Sequence, residues 1–353
     1  MAMLFNLEVD SGDRVLLYVV PDAYSEIPSI TICGNGQTEL VSIEANEVRD
    51  ALVVAGRHET GRCGFRLDQE LIPDIQSIGD LSVYEKSSGL LIYRRRSPEN
   101  IQKKLLRFEA NLFPQLALDK FMIERFQHGA QSIEKFGLES STQLFLLGGL
   151  SSVYLSGRLL YTPYSYYIEG SFDSIIYIDD PYTALAERLL VISRMDGDRG
   201  TLILGERDSM LFKSAIHFTR ELHFDNGKSL RRALRNLPQD VAVALVNPLT
   251  RQLTCTTPDE MPRQGAIAGA LDRLSSFAIV GLREEAGLFT AALGDMLGID
   301  GSSIPVAQPL PSVVTLAKTL REEAQVENLI ESDLEIYTHV HRAHQETLNE
   351  SAE

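Results

Sequence analysis

The hydrophobic pattern of this chain changes its period partway along, and this change limits the folds open to it. Before about residue 95, the apolar residues form short β-type runs between Gly and Pro, such as Arg14–Val20, Ser29–Cys33 and Leu90–Tyr93. From Gln143 onward, strand-like runs alternate with segments of helical periodicity. Short, punctuated strands are typical of a small β-sandwich, whereas alternating strands and helices indicate a parallel sheet. The sequence therefore predicts an α/β domain behind a β-rich domain.

The boundary between the two patterns is expected near residue 97. Ser97 has the character of a helix N-cap and Pro98 of a first-turn proline, and an apolar stripe at helical spacing follows over Glu99–Phe136. We therefore predict three parts: a β-sandwich accessory domain over residues 1–96, a helical linker over 97–139 and an α/β domain over 140–353.

Charge and cysteine content exclude several classes of partner. The formal net charge is −16, and an acidic surface repels phosphate backbones, so we expect no nucleic-acid partner. Cys33, Cys63 and Cys255 are widely spaced, which suits buried free thiols in a reducing compartment and gives no pattern for zinc or other metals. The N-terminus has no basic signal region, and no apolar run nears the ~20 residues that span a bilayer. We expect a cytoplasmic protein without a transmembrane segment.

The first domain contains a proline-flanked strand, the turn from Gly34 to Gly36, Arg49-Asp50, and Gly61 to Phe65. Through these pieces it resembles a small β-domain that recurs beside glycosyltransferase and sulfotransferase domains in bacterial surface-polysaccharide proteins. A plain sandwich with well-placed turns would carry the same residues, and both interpretations stay open. The resemblance implies that the partner is a glycan or a glycan-synthesis protein.

Phe277–Ile299 reads as a strand that runs through Gly281 and Glu284 into a helix, and the terminal helix carries Asp333 and Tyr337 four residues apart. Through these two segments, residues of roughly 140–345 resemble the carbohydrate sulfotransferase family, which has a P-loop-like α/β fold and a strand–Gly-Leu-x-Glu–helix segment. The resemblance implies a P-loop-like (sulfotransferase-like) parallel sheet with helices. It also implies PAPS, the phosphosulfate donor, as the cofactor of a catalytically active chain.

In the family, a loop after the first strand binds the phosphosulfate of the donor. We predict that strand over Leu144–Leu147, so the resemblance assigns the loop to Gly148, Gly149, Ser151 and Ser152. Backbone amides at a helix N-terminus suit such an anion. The lysine of the family's loop would fall near Leu147 and is missing here. An ordinary strand-to-helix turn would account for the same residues.

A second donor motif in the family is a strand ending in Arg-Asp-Pro, followed by a helix whose Arg and Ser hold the 3′-phosphate. The strand Ser174–Ile178 and the following helix Tyr182–Ser193 fit this pattern, but Asp179 stands at the arginine position. A misplaced carboxylate about 4 Å from a phosphate costs on the order of 4 kcal/mol at an effective dielectric constant near 20. Arg188 and Ser193 would bind the 3′-phosphate only with a change of register.

Two further sets of residues suit chemistry on an acceptor. Histidine side chains serve as general bases toward hydroxyl groups, and His217 lies on a predicted helix. Tyr164, Tyr166 and Tyr167 lie in the densest aromatic stretch, and tyrosine rings stack on sugar faces. A surface histidine and an amphipathic segment packed on the core are the alternative interpretations.

The departures from the donor motifs favour a divergent or non-catalytic relative over an active enzyme. We hypothesise a binding or scaffold module in bacterial surface-polysaccharide synthesis or modification. An active PAPS-dependent carbohydrate sulfotransferase is the first alternative, and an unrelated α/β binding protein is the second. Whether the chain is an enzyme, and whether it forms a homo-oligomer, stays open at this stage.

Overall fold

The computed structural model describes residues 3–34, 36–147, 149–195, 205–263 and 265–350. The described strands, in chain order, are β1 (Leu4–Asp10), β2 (Arg14–Val20), β3 (Ser29–Gly34), β4 (Thr38–Glu44), β5 (Glu47–Val48), β6 (Arg62–Asp68), β7 (Ser82–Glu85), β8 (Leu91–Arg94), β9 (Lys104–Glu109), β10 (His128–Ala130), β11 (Val153–Gly157), β12 (Asp173–Ile178) and β13 (Ile279–Leu282).

The described α-helices, also in chain order, are α1 (Asp50–Val54), α2 (Leu116–Ile123), α3 (Gly137–Phe145), α4 (Tyr161–Ile168), α5 (Pro181–Ser193), α6 (Glu206–Leu211), α7 (Lys213–Arg220), α8 (Gly227–Arg235), α9 (Gln239–Leu245), α10 (Pro248–Thr254), α11 (Ala266–Ser275), α12 (Ala286–Leu297), α13 (Pro311–Arg321), α14 (Ala324–Leu329) and α15 (Glu331–Glu350). Short 3₁₀ turns occur at Ile75–Ser77, Ile133–Phe136, Arg283–Glu285 and Gly301–Ser303. None of the described helices is long and apolar enough to cross a membrane.

The chain divides into two compact units whose segments interleave in sequence. The first unit comprises Met1–Lys104 and Met122–Leu155, and the second comprises Leu105–Phe121 and Ser156–Glu353. The three parts predicted from the sequence, with boundaries at residues 96 and 139, are each continuous along the chain, unlike these two units. That division remains a prediction.

The first unit contains two antiparallel four-stranded sheets, with strand orders β1-β2-β6-β5 and β4-β3-β7-β8. Burial alternates along β2, where Val15, Leu17 and Val19 are fully buried and Arg14 is exposed. This period of two is typical of antiparallel sheets with one face on a core. The strands predicted over Arg14–Val20 and Ser29–Cys33 are confirmed.

A five-stranded parallel sheet has the order β10-β11-β9-β12-β13. In the second unit, β12 pairs with β9 on one side and with β13 on the other, and both pairings are parallel. Strand β12 is buried at every position from Ser174 to Ile178. Burial on both faces explains its continuous apolar run, which is the pattern of strands inside a parallel sheet. The predicted α/β character with a parallel sheet flanked by helices is therefore confirmed.

The helix predicted over Glu99–Phe136 is wrong, because this stretch contains two strands of the parallel sheet, β9 and β10, with α2 between them. Leu105 and Phe108 have the spacing of one helix face but lie in β9, where the charged side chains of Arg107 and Glu109 are almost completely buried as well. The strand satisfies these charges inside the unit, so alternation of polar and apolar residues could not reveal it.

The strand predicted over Leu144–Leu147 is also wrong. Leu144 and Phe145 are buried residues at the end of α3, and the next strand, β11, begins only at Val153. A run of four apolar residues does not distinguish a buried strand from one face of a buried helix.

Helices of the second unit cover the sheet with a large apolar core. Helix α5 contributes Leu185, Leu189 and Ile192 to this core, and α13 contributes Leu316 and Leu320. At Gly281 of β13, a Cβ atom would lie 2.3 Å from the ring of Phe289 in α12. Only glycine permits this close approach of helix to strand.

Candidate functional site

The ends of the parallel strands bring charged side chains to one edge of the sheet in the second unit. Glu109 ends β9, Arg158 follows β11, Asp179 follows β12 and Arg283 follows β13. The carboxyl ends of parallel strands share one edge, and ligands of open α/β sheets bind there. This edge is therefore the place to look for a site.

Three of the residues near this edge form a closed group of charges, which we call the first charge cluster: Arg107, Glu109 and Asp119. Arg107 donates from Nη1 to Oε2 of Glu109 and from Nη2 to Oδ1 of Asp119, at 2.8 Å in each case. Glu109 also accepts hydrogen bonds from the backbone N–H groups of Asn111 and Gln115. All three charged side chains are at most 3% exposed, so good geometry compensates the cost of burying them.

Beside this cluster lies a cavity of about 80 Å³ into which three arginines converge, Arg158, Arg188 and Arg251. We call it the arginine pocket. Glu109 and Asp208 are the carboxylates in its lining, so three guanidinium groups face two carboxylates. Asp208 lies 3.4 Å from Arg158, and Glu109 is committed to Arg107. The lining of the pocket therefore carries an excess of positive charge, in a chain whose overall balance is strongly acidic.

Arg188 is the most constrained of the three arginines. It projects from α5, is 8% exposed, and donates from Nη1 to the carbonyl of Ala244 at 3.1 Å. Within the described residues this is its single hydrogen bond, although a guanidinium carries five N–H donors. Burial, together with the positive charges of Arg158 and Arg251, lowers the pKa of Arg188 to about 10. An anion in the pocket would relieve this electrostatic penalty.

Arg251 is held in place by carbonyl groups of its own neighbourhood. It lies on α10, is 8% exposed, and donates to the backbone oxygens of Glu260 and Pro258. Burial is the main reason that its pKa is also lowered. Neutral carbonyls orient the guanidinium, while the buried carboxylate of Asp333 offsets part of the positive charge of both Arg251 and Arg188.

Asp179, where the resemblance would need an arginine, belongs to what we call the second charge cluster: Asp179, Glu187 and Arg283. Arg283 donates from Nη1 to Oδ2 of Asp179 at 2.6 Å, and the same atom lies 3.6 Å from Oε2 of Glu187. Burial raises the pKa of Asp179 to about 7, and the positive charge of Arg283 only partly offsets this effect. This arrangement neutralises Asp179 with a protein arginine and leaves no cationic group for a 3′-phosphate at that position.

The predicted donor loop does not have the strand in front of it that the prediction required. Gly148 lies outside the described residues, and Gly149 and Ser151 are exposed. Ser151 donates to Oε1 of Gln102, and buried Ser152 accepts a hydrogen bond from the backbone N–H of Gln127. The loop follows helix α3 and precedes strand β11, whereas a donor loop follows a strand and precedes a helix. Its role in binding PAPS stays a prediction that this order does not support.

The two residues predicted to hold the 3′-phosphate lie on the same helix but have different environments. Arg188 lines the arginine pocket. Ser193 is the last residue of α5, and its hydroxyl donates to the carbonyl of Leu190 at 2.9 Å. Five residues of separation place the two side chains about 140° apart around the helix axis, so they do not share a face.

The remaining predicted residues lie apart from the arginine pocket. His217 is exposed on α7, and its Nε2 lies 3.5 Å from Oε1 of Glu221. On α4, Tyr164 is buried, whereas Tyr166 is 86% exposed and meets Tyr167 edge to face. These tyrosines therefore do not form one flat platform. Their predicted roles stay predictions.

Sequence reasoning did not single out Glu109 or Arg251. Glu109 was hidden because its segment was read as helix, and Arg251 lies on a seven-residue helix that has no motif around it. For this edge of the sheet the sequence offered one usable signal: the strand-like run Val153–Gly157 is followed directly by the charged residue Arg158. Among the residues that the structure describes, no group of three or more His, Cys, Asp or Glu side chains is arranged to hold a metal ion.

Comparison with known proteins does not assign the chain to a family. No family model, curated protein or solved structure matches it.

Proposed function

We propose that the second unit binds a small ligand through a phosphate or sulfate group held in the arginine pocket. We further propose that it is a divergent, non-catalytic module of sulfotransferase-like, P-loop-like architecture that acts in bacterial surface-polysaccharide synthesis or modification. The observation that carries the proposal is the convergence of Arg158, Arg188 and Arg251 on one cavity, with Arg188 buried and hydrogen-bonded through a single N–H group.

The chemistry of the pocket favours an oxyanion with several acceptor oxygens. Guanidinium groups bind phosphate and sulfate through paired, charge-assisted hydrogen bonds. A buried guanidinium with unused N–H groups is costly to keep in a fold, and a bound anion would satisfy it. Neither carboxylate in the lining opposes such a ligand strongly, because Glu109 is bound to Arg107 and Asp208 to Arg158.

The size of the pocket limits what enters it. One water molecule needs roughly 10–15 Å³ of cavity volume. A cavity of about 80 Å³ therefore admits a group of about five non-hydrogen atoms, such as a phosphate or a sulfate. A whole nucleotide would have to lie mostly outside. A phosphorylated or sulfated sugar, with its ring at the mouth of the pocket, satisfies both the size limit and the resemblance to surface-polysaccharide proteins.

Two observations support a binding role over sulfate transfer. The predicted donor loop precedes strand β11, and the lysine expected in it is missing. Asp179 stands at the arginine position of the second donor motif and is bound by Arg283. Both departures weaken the alternative of an active PAPS-dependent sulfotransferase.

Calorimetric titration with inorganic sulfate, inorganic phosphate and adenosine 3′,5′-bisphosphate tests the proposal. We expect the inorganic anions to bind, and the variant Arg188→Gln to bind them about 10- to 100-fold more weakly, the value of a charge-assisted hydrogen bond or two. The matched control is Arg232→Gln, which removes an exposed arginine of α8 and should leave the affinity unchanged.

Each outcome bears on the proposal. No anion binding at millimolar concentration by folded wild-type protein would refute it. Equal losses in the two variants would show that general surface charge, and not the arginine pocket, attracts the anion. Binding of adenosine 3′,5′-bisphosphate much tighter than that of either inorganic anion would favour the sulfotransferase alternative.

A further inference from the structure

A second cavity in the same unit differs from the arginine pocket in size and in chemistry. It has a volume of about 340 Å³, and Leu190, Val191, Met195, Leu310 and Val313 give it largely apolar walls. This volume falls in the range of cavities that hold small organic ligands. We call it the apolar cavity.

One part of the wall is charged, because Glu187 and Arg283 of the second charge cluster also line the apolar cavity. Both residues are more than nine-tenths buried. Arg283 is committed elsewhere: Nη1 donates to Asp179 and Nε donates to the carbonyl of Ala307 at 2.9 Å.

The carboxylate of Glu187 is only half satisfied. Its Oε1 accepts a hydrogen bond from the backbone N–H of Phe113 at 3.0 Å. Its Oε2 has only the 3.6 Å approach to Arg283, which is too long for a hydrogen bond, and no other partner within the described residues. Asp179 shares Arg283 but does not line the apolar cavity, whose lining has Glu187 as its carboxylate and Arg194 and Arg283 as its cations.

We propose that the apolar cavity binds a small amine with an apolar body, whose ammonium group donates to Oε2 of Glu187. The ammonium would supply the missing hydrogen bond to Oε2, while an alkyl chain or ring covers Val191, Leu310 and Val313. Removing such apolar surface from water is favourable in proportion to its area. This inference does not depend on the anion proposed for the arginine pocket.

The open acceptor Oε2 of Glu187 favours an amine over other apolar ligands, because an ammonium group donates hydrogen bonds and a carboxylate does not. An alkyl carboxylate would bring a further negative charge toward the second charge cluster, whose arginine is already used. Burial already raises the pKa of Glu187, which indicates that its charge is poorly compensated in the free protein. The exposed Arg194 also lines the cavity, and an alkyl carboxylate anchored there is the competing outcome that the test must separate.

Titration of the full chain with hexylamine and with hexanoate, followed by calorimetry, separates these outcomes. We expect hexylamine to bind and hexanoate not to bind. The variant Glu187→Gln should weaken hexylamine binding at least about tenfold, since it removes a charge-assisted hydrogen bond. The control Glu322→Gln changes an exposed glutamate of the same unit and should have no effect.

A second variant, Val191→Trp, fills the cavity without touching its charges and should abolish hexylamine binding. Circular dichroism establishes that each variant is folded. Equal binding of hexanoate and hexylamine by wild-type protein would overturn the proposal, whatever the variants do. Unchanged hexylamine affinity in folded Glu187→Gln or Val191→Trp protein would also overturn it.

Discussion

The two charge clusters of the second unit have the same composition and opposite degrees of compensation. Each contains one arginine and two carboxylates, all buried. In the first charge cluster both carboxylates lie 2.8 Å from the guanidinium, and Glu109 gains two backbone N–H donors as well. In the second, one carboxylate lies at 2.6 Å and the other at 3.6 Å from the same nitrogen.

This difference shows that the number of charges does not distinguish a cluster that stabilises the fold from a cluster that binds a ligand. The first charge cluster satisfies its members within the fold, and it holds β9 and α2 together. The second leaves an oxygen of Glu187 without a hydrogen bond and opens onto the apolar cavity. The second charge cluster is a candidate site because a carboxylate oxygen without a hydrogen bond lies beside the apolar cavity.

The largest effect is expected from breaking the first charge cluster with Arg107→Met. This change leaves two buried carboxylates without their cation, so we expect the free energy of unfolding to fall by about 3–5 kcal/mol. Urea denaturation measures the loss, and the exposed control Arg232→Met should change stability by less than about 0.5 kcal/mol. A loss as small as that of the control would show that the first cluster does not stabilise the fold.

A smaller effect, dependent on pH, is expected from the second charge cluster. The pKa of Asp179 is raised to about 7 from 3.8, so between these values the folded state binds a proton that the unfolded state has released. The contribution of Asp179 is therefore fully present below pH 3.8 and is lost as pH rises toward 7, on the order of 4 kcal/mol in total.

The variant Asp179→Asn isolates this contribution, because an amide keeps an acceptor oxygen for Arg283 and does not titrate. We expect the wild-type protein to lose stability relative to the variant between pH 4 and pH 8, as measured by urea denaturation at each pH. A constant difference over this range would mean that Arg283 compensates Asp179 fully, and the contrast between the clusters would disappear.

The smallest effect concerns Asn111, whose backbone N–H supports the first charge cluster. Its side-chain amide is buried, and neither Nδ2 nor Oδ1 has a hydrogen-bond partner within the described residues. An unsatisfied buried amide costs free energy, so Asn111→Leu should stabilise the protein by about 1 kcal/mol in thermal or urea unfolding. Destabilisation instead would indicate that a bound water or ligand satisfies the amide.

The sequence predicted correctly those parts of the fold in which the buried residues are apolar and the exposed residues are polar. Strand β12 has a continuous apolar run, and the helix predicted over Tyr182–Ser193 is α5 (Pro181–Ser193), with Asp180 as its N-cap. Strand β9 was predicted as a helix because its apolar residues recur at helical spacing. Its charged residues are satisfied by tertiary partners, which no local pattern reveals. The apolar end of α3 was taken for a strand for the same lack of tertiary information.

The candidate sites were predictable only in part. Arg188 was singled out from its place after a strand–Asp-Pro–helix pattern, and the structure places it in the arginine pocket. Its companion Arg251 comes from a helix more than sixty residues later, so only the folded chain brings the two together. The pairing of Asp179 with Arg283 spans 104 residues along the chain and was equally out of reach.

The position of β9 inside the sheet also has a consequence on the ribosome. About 64 residues separate the end of β9 from the start of its later neighbour β12, so at roughly 5–20 residues per second the nascent strand waits about 3–13 s before both of its edges can pair. An apolar strand with free edges would be prone to aggregate during that time. Charged residues within such a strand would keep it hydrated, as gatekeeper charges do, and β9 carries Arg107 and Glu109. The charges that are paired inside the folded unit would thus also protect the strand during synthesis.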